Sequence, residues 1–200
     1  MRLEQRERTL LERAGTRTLG REVEWHDLLE STQDRARERL TEGAAEGALV
    51  VADVQSAGRG RKGDPWSSAT GGVWASLILK PKGPTQAAAE LTVTFARAVR
   101  ETLHFDFCLP ATVKEPNDVL VGGRKIAGIL ADATSRAGAD SVDHLILGFG
   151  LNVSNPLPPE LAGLATRMSE YLKEPPRPED VLARVLERFE ALYLRPSRVV

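Results

Sequence analysis

The sequence is poor in cysteine and histidine, and this limits the chemistry available to it. Cys108 is the only cysteine among 200 residues, which excludes an internal disulfide and a multi-cysteine zinc site. We expect its thiol to be buried. The three histidines, His26, His104 and His144, lack the spacing of metal ligands, so we interpret them as structural or surface residues.

The sequence also lacks a long apolar run and an excess of charge of either sign. No segment has the length of a membrane span or the pattern of a signal peptide, so we expect a cytoplasmic protein without membrane association. Lys and Arg total 27 and Asp and Glu total 28, which gives no electrostatic reason to expect DNA as a partner. The hydrophobic content of 42% suffices for one well-buried core.

Hydrophobic patterns predict an α+β fold with a mixed or antiparallel sheet, because hairpin-linked strands dominate and helices come in separate blocks. The polar residues 1–18 are interpreted as an N-terminal extension and residues 19–200 as one domain. Short β-branched runs predict strands over 48–54, 72–79, 119–121, 126–131 and 145–153. Capping and 3.6-residue patterns predict helices over 31–40, after Pro84 and over 179–194.

A glycine-rich basic loop, GRGRKG, spans residues 58–63. It has the form of a dinucleotide-binding motif, but such a motif requires a helix to begin inside it, whereas Asp64-Pro65-Trp66 and a predicted strand follow. Glycines allow a ligand to approach the backbone closely, and arginines bind phosphate or carboxylate oxygens through two donors. The loop therefore suits a polyphosphate or an acyl phosphate, and a solvated basic surface loop is the alternative.

Three further segments carry polar or glycine residues within strand patterns. The segments KEPND at 114–118 and RKIAGIL at 124–130 each place a lysine beside strand-forming residues, from which it can project into a cleft and neutralise developing negative charge. The Asn-Asp pair in the first is equally compatible with an ordinary turn. The segment GFGLN at 148–152 is compatible with a mere strand irregularity.

Together these segments resemble the biotin protein ligase family, also called biotin–acetyl-CoA-carboxylase ligases, over about residues 25–153. The family's Ser-Thr-Asn motif appears as Ser31-Thr32-Gln33, with Gln in place of Asn. Its remaining motifs follow in the family's order as QSAGRGR at 55–61, with Trp66 after it, KEPND at 114–118, RKIAGIL at 124–130 and GFGLNV at 148–153. In the KEPND motif, Glu115 stands where the family usually has Trp.

The resemblance implies a fold shared with class II aminoacyl-tRNA synthetases, with a mixed, largely antiparallel sheet flanked by helices. It implies that ATP, with Mg²⁺, activates biotin to biotinyl-5′-AMP, and that biotin then passes to a lysine of a biotin carboxyl carrier protein or domain. A homodimer through sheet edges is a further expectation. Some members carry a helix-turn-helix before this core and many a β-barrel after it. Neither is evident in the sequence, so we expect no DNA binding.

The resemblance also implies roles for individual residues. The catalytic residues would be Lys125 and Arg61, and Asp118 would organise Mg²⁺ with ATP. Biotin would be held by Ser31, Thr32, Gln33, Gln55, Gly58, Arg59, Gly60, Arg61, Lys125 and Gly128. ATP and the adenylate would be held by Arg59, Arg61, Trp66, Lys114, Asn117, Asp118, Lys125 and Asn152.

Two other functions remain open at this point. A lipoate or octanoate protein ligase or transferase would use a related pocket and the same lysine, although its usual loop differs from residues 58–61. A non-catalytic biotin or nucleotide sensor is the second alternative, suggested by the change from Trp to Glu115.

Overall fold

A computed structural model of the chain describes residues 3–81, 84, 86–135 and 140–194. Within them, one seven-stranded sheet has the strand order β1-β2-β3-β7-β6-β5-β4, in which β1 and β2 are parallel and all other neighbours antiparallel. This confirms the predicted mixed, largely antiparallel α+β fold. The strands are β1 (Val23–Leu29), β2 (Leu49–Gln55), β3 (Val73–Leu79), β4 (Ala111–Lys114), β5 (Asp118–Val121), β6 (Arg124–Thr134) and β7 (His144–Leu151).

Helices cover both faces of the sheet, but unequally. The helices are α1 (Leu3–Arg13), α2 (Thr32–Thr41), α3 (Ala87–Phe105) and α4 (Pro178–Tyr193). The larger core, which includes Leu49 and Val51, lies under α1, α3 and α4, whereas Val50 belongs to a smaller cluster under α2. This alternation follows from the two-residue period of a strand. None of the helices in the described part of the chain is long and apolar enough to cross a membrane.

The five strands predicted from apolar runs all occur, and so does the helix after Ser31, whose hydroxyl accepts the backbone N–H of Gln33 at 3.2 Å. The β5–β6 hairpin turns through Gly122 and Gly123, both with positive φ as a type I′ turn requires. The helix predicted after Pro84 begins at Ala87. Strands β1 and β4 were not predicted.

The expectation that Cys108 is buried was wrong, because its thiol is exposed. Cys108 lies in the connection between α3 and β4, with a φ of 55° in the left-handed region. Its neighbour Leu109 takes the inward position and is 3% exposed.

The segment before β1 is tied to the last helix by one carboxylate. Glu190 of α4 accepts the backbone N–H groups of Arg17, Thr18 and Leu19 at 2.7, 2.8 and 2.8 Å. Burial alone would raise the pKa of Glu190, but these hydrogen bonds hold its pKa below the ordinary value. Within α1, Leu10 is fully buried in the larger core. The domain boundary at residue 18 stays a prediction.

Candidate functional site

A cavity of about 460 Å³ lies on the α2 side of the sheet, beside the N-terminus of that helix. Its volume is that of a site for one small molecule. Its floor is formed where β3, β6 and β7 carry small residues, namely Ser76, Gly128, Gly148 and Gly150. On β3 and β7, the large neighbours of these small residues point into the core on the other face.

The glycines in the floor let two covering side chains rest directly on the backbone. A methyl group at Gly150 would lie 2.4 Å from Nε1 of Trp66, and one at Gly148 would lie 2.3 Å from Oε1 of Gln33. Gly128 is paired with Gly150 across the β6–β7 ladder and lies under the other end of the indole. Close approach, not strand irregularity, thus explains the glycines of GFGLN.

One end of the cavity is built from uncharged polar side chains. The carboxamide oxygen of Gln55 accepts the backbone N–H of Thr32 at 2.8 Å, and its Nε2 donates to the Ser68 hydroxyl at 2.8 Å. The Thr32 hydroxyl lies 2.9 Å from that of Ser76, which donates to Oε1 of Gln33 at 3.0 Å. Such an end suits a neutral ligand group that both donates and accepts hydrogen bonds.

The other end is cationic. Lys125 forms an ion pair with Asp118, with 2.6 Å between Nζ and Oδ1, and its ammonium lies 5.0 Å from the centre of the Trp66 ring. Arg61 donates to Oδ1 of Asn117 at 3.0 Å, while the amide of Asn117 donates to the Ile129 carbonyl at 2.9 Å. Arginine and lysine side chains converging on one cleft favour an anionic ligand.

The glycine-rich loop forms the wall between α2 and the cationic end. It is closed by backbone hydrogen bonds from Gly60 to Asp64 and from Trp66 to Gly58, of 2.7 and 2.8 Å. Arg59 is ion-paired with Asp34 of α2. The residues Arg61–Gly63 form a single 3₁₀ turn, so the loop does not open a longer helix as a dinucleotide site would.

Most predicted site residues line this cavity, whereas Gly58 and Lys114 are not in its lining. Gly58 is buried behind the loop, where a methyl group would lie 2.6 Å from the Ser68 hydroxyl, and the Lys114 side chain is exposed on β4. The predicted residues in the lining are Ser31, Thr32, Gln33, Gln55, Arg59, Gly60, Arg61, Trp66, Asn117, Asp118, Lys125, Gly128 and Asn152.

Asn152 lines the cavity from the end of β7, and its side chain also holds the segment that follows. Its amide donates to the Thr166 carbonyl at 3.0 Å, and its oxygen accepts from Asn155 at 3.1 Å. That segment adds an apolar wall that sequence analysis did not identify, formed by Leu157, Leu161, Leu164 and Ala165. It docks beside the catalytic candidate, since the Lys125 N–H donates to the Leu164 carbonyl at 2.8 Å.

Ser76 was also missed. It is fully buried in the apolar run VWASLIL, and a serine within such a run is interpreted from sequence as a small core residue. Only the register of β3 against β7, which pairs Ser76 with Gly148, places it in the floor of the cavity.

Comparisons with known proteins assign the fold and then the family. A solved structure with the same mixed α+β fold is the biotin protein ligase from Aquifex aeolicus in complex with biotin and ATP, with a TM-score of 0.73 and 32% identity, covering 85% of this chain and 69% of that one. Residues 25–152 match the biotin/lipoate A/B protein ligase family. The chain belongs to this family.

Two curated relatives are similar in sequence. The bifunctional ligase/repressor BirA of Bacillus subtilis (strain 168) is 40% identical over 182 residues, which are 89% of this chain and 55% of the relative. A biotin–[acetyl-CoA-carboxylase] ligase of Paracoccus denitrificans is 38% identical over 119 residues, 58% of this chain and 48% of the relative. The chain thus spans about half the length of the curated relatives it matches.

Proposed function

We propose that this chain is a biotin protein ligase, which forms biotinyl-5′-AMP from biotin and ATP and transfers biotin to a lysine of a biotin carboxyl carrier protein or domain. The observation that carries the proposal is the two-ended cavity, in which an uncharged hydrogen-bonding end adjoins a cationic end. Biotin has the same division, with a neutral ureido ring at one end and a carboxylate at the other. The similarity to ligases named for biotin supports it.

In this proposal the ureido ring lies at the uncharged end. Thr32 and Gln55 offer oxygens to its N–H groups, Ser31 and Gln33 complete the polar wall, and the backbone at Gly128 helps to hold the ring. Gly58 acts from behind by allowing the loop to pack against Ser68. The acyl chain runs towards Lys125.

ATP lies at the cationic end, where Arg59 and Arg61 bind carboxylate and phosphate oxygens and Gly60 lets them approach the backbone. A biotin carboxylate oxygen attacks the α-phosphorus, pyrophosphate leaves, and a mixed anhydride with AMP remains. The acceptor amine then attacks the acyl carbon and AMP leaves. Lys125 stabilises the negative charge that develops in both steps, and Arg61 assists it.

Trp66, Asn117 and Asn152 also border the nucleotide end, with Lys114 outside the cavity as an outer contact. Among the described residues, no group of three or more His, Cys, Asp or Glu is placed to hold a metal ion. Mg²⁺ does not require one, because it binds ATP through phosphate oxygens and waters with one or two carboxylates. Asp118 at the cationic end fits that role, and the ion would neutralise phosphate charge.

The remaining parts of the proposal concern the setting of the enzyme. The acceptor protein would be a carboxylase carrier domain. The enzyme would act in the cytoplasm and would form a homodimer. Mass measurement of a carrier domain after incubation with the chain, ATP, Mg²⁺ and biotin tests the activity. A mass gain by one biotinyl group is the expected result. Preference for lipoate or octanoate would indicate the related transferase, and binding of biotin without turnover would indicate a sensor.

Lys125→Ala tests the catalytic assignment. We expect biotin-dependent exchange of pyrophosphate into ATP to fall by about 100- to 1,000-fold, as is typical when one charge-stabilising donor is removed. Lys173→Ala, at an exposed lysine outside the cavity lining, is the matched control. Near wild-type exchange in Lys125→Ala would overturn the role of this lysine.

A further inference from the structure

The uncharged end of the cavity contains a relay of hydroxyl and carboxamide groups with fewer protons than contacts. Three contacts join its oxygens: Thr32 Oγ1 to Gln55 Oε1 at 3.1 Å, Thr32 Oγ1 to Ser76 Oγ at 2.9 Å, and Ser76 Oγ to Gln33 Oε1 at 3.0 Å. Only the two hydroxyl groups can donate to these contacts. One contact therefore has no proton, and the surroundings determine which one.

Gln33 fixes the first direction. Its Nε2 donates to the backbone carbonyl of Ile146 at 3.2 Å, so its Oε1 must face Ser76. The Gln33 side chain is 5% exposed and cannot turn over without burying the Ile146 carbonyl against an oxygen. Ser76, which is fully buried, thus gives its only proton to Gln33.

Ser76 then has only lone pairs left for Thr32, whose single proton can serve either Ser76 at 2.9 Å or Gln55 at 3.1 Å. We assign that proton to Ser76, because two hydroxyl oxygens facing each other at the shorter distance beside a fully buried Ser76 would be the costlier unprotonated contact. Gln55 cannot compensate, because its carboxamide orientation is also fixed. Its oxygen accepts the Thr32 backbone N–H, and its Nε2 donates to Ser68, whose hydroxyl donates to the Trp66 carbonyl at 3.1 Å. The oxygens of Thr32 and Gln55 are left 3.1 Å apart with no proton between them.

We propose that Ser76 and Gln33 are positioning residues that set the substrate specificity of this site, by holding Thr32 and Gln55 as a pair of acceptors for a ring N–H. Two facing oxygens repel each other until a donor arrives, and the lining of this end supplies none between them. A ureido nitrogen carries such a donor, whereas the dithiolane ring of lipoate and the alkyl chain of octanoate do not. The proposal rests on the proposed function and names how the same site would choose its acyl substrate.

The test varies protein and ligand together. Calorimetric titration measures the binding of biotin and of an analogue in which oxygens replace the ureido N–H groups, which keeps the size of the ring but lacks the donor. The wild type should bind biotin at least about tenfold more tightly, which corresponds to one hydrogen bond of about 1.4 kcal/mol. In Ser76→Ala, the Thr32 proton is free to turn to Gln55, and the two ligands should bind within about twofold of each other.

Gln33→Met approaches the same relay from its other end. It removes the acceptor that holds the Ser76 proton, so the preference for biotin over the analogue should fall as it does in Ser76→Ala. With two variants, the proposal can be tested even if one of them folds poorly. Thr102→Val is the matched control, because it also removes a fully buried hydroxyl but lies on α3, outside the cavity lining. It should keep the wild-type ratio.

A loss of affinity for both ligands by the same factor would show that Ser76 has only a structural role and would overturn the proposal. Discrimination that is unchanged in both relay variants would overturn it as well. Failure of the ligase activity can be told apart from failure of the relay proposal. Wild-type protein that binds biotin selectively but transfers none to the carrier domain would contradict the activity and leave the relay proposal standing. Wild-type protein that binds neither ligand would overturn both.

Discussion

Replacement of Gly150 by alanine tests whether the placement of the Trp66 indole on the sheet matters for ligand binding. The added methyl carbon would lie 2.4 Å from Nε1 and 2.6 Å from Cε2 of Trp66, where ordinary contacts are about 3.5–4.0 Å. The strand cannot yield easily, because Gly150 is paired with Trp74 on β3 and with Gly128 on β6. The indole must therefore move away by roughly 1 Å, and its contact with Lys125 moves with it.

Overpacking of this kind costs about 1–3 kcal/mol. If the bound ligand needs the indole in its present position, the affinity for ATP should fall by about 5- to 150-fold, as measured by calorimetric titration. Trp66→Ala provides the control, because alanine lacks the indole atoms that the new methyl group would meet. In that background Gly150→Ala should cost much less, with a coupling of at least about 0.5 kcal/mol. Equal losses in both backgrounds would refute the reasoning.

Three further predictions follow from the same structure. Glu190→Gln should lower the free energy of unfolding by about 2–3 kcal/mol at pH 7, because an amide cannot accept all three backbone N–H groups. The control is Glu187→Gln on the exposed side of α4, which should change the free energy of unfolding by less than about 0.5 kcal/mol. Since the folded-state pKa of Glu190 lies below the ordinary value of a glutamate, denaturant titrations should show this difference shrinking as the pH falls through that range. Arg61→Gly should release biotinyl-5′-AMP, and mass spectrometry should find biotin on lysines of an unrelated bystander protein. Hydrogen exchange over residues 57–66 should slow when biotin and ATP are added, because anions relieve the repulsion among the loop's cations, and equal protection in both states would contradict a closing loop.

Two of the five predicted strands, β3 and β7, are buried along nearly their whole length. The runs at β3 and β7 are apolar at nearly every position, and a helix or the core covers each side. Strand β1 was missed because it is an edge strand whose pattern mixes Glu24 and Asp27 with apolar residues, and β4 because four residues give too short a pattern. The hydrogen bonds between residues 17–19 and Glu190 could not be predicted from the sequence. They join positions more than 170 residues apart, and their donors are backbone N–H groups, which leave no pattern in the sequence.

For the site, most residues predicted from the motifs lie in the cavity lining, but the motifs did not predict the geometry of the cavity. The resemblance brought Ser31, Gln55 and Lys125 to one cavity, as the structure does, because each belongs to a motif of polar or glycine residues that stands out locally. Ser76 gives no such signal. Its function depends on the register between two strands about 70 residues apart in sequence, which local pattern does not contain.

Helix α1 also changes what the β1 edge of the sheet can do. The backbone N–H of Trp25 on this edge strand donates to the Glu7 carboxylate at 3.0 Å, and Arg6 stacks over the Trp25 ring at 4.5 Å while pairing with Asp53. An edge amide left free is a template on which another chain can add a strand. Because α1 occupies it, self-association through this edge would require the removal of a helix anchored by the fully buried Leu10. At the β1 edge, the first helix therefore opposes the addition of another strand.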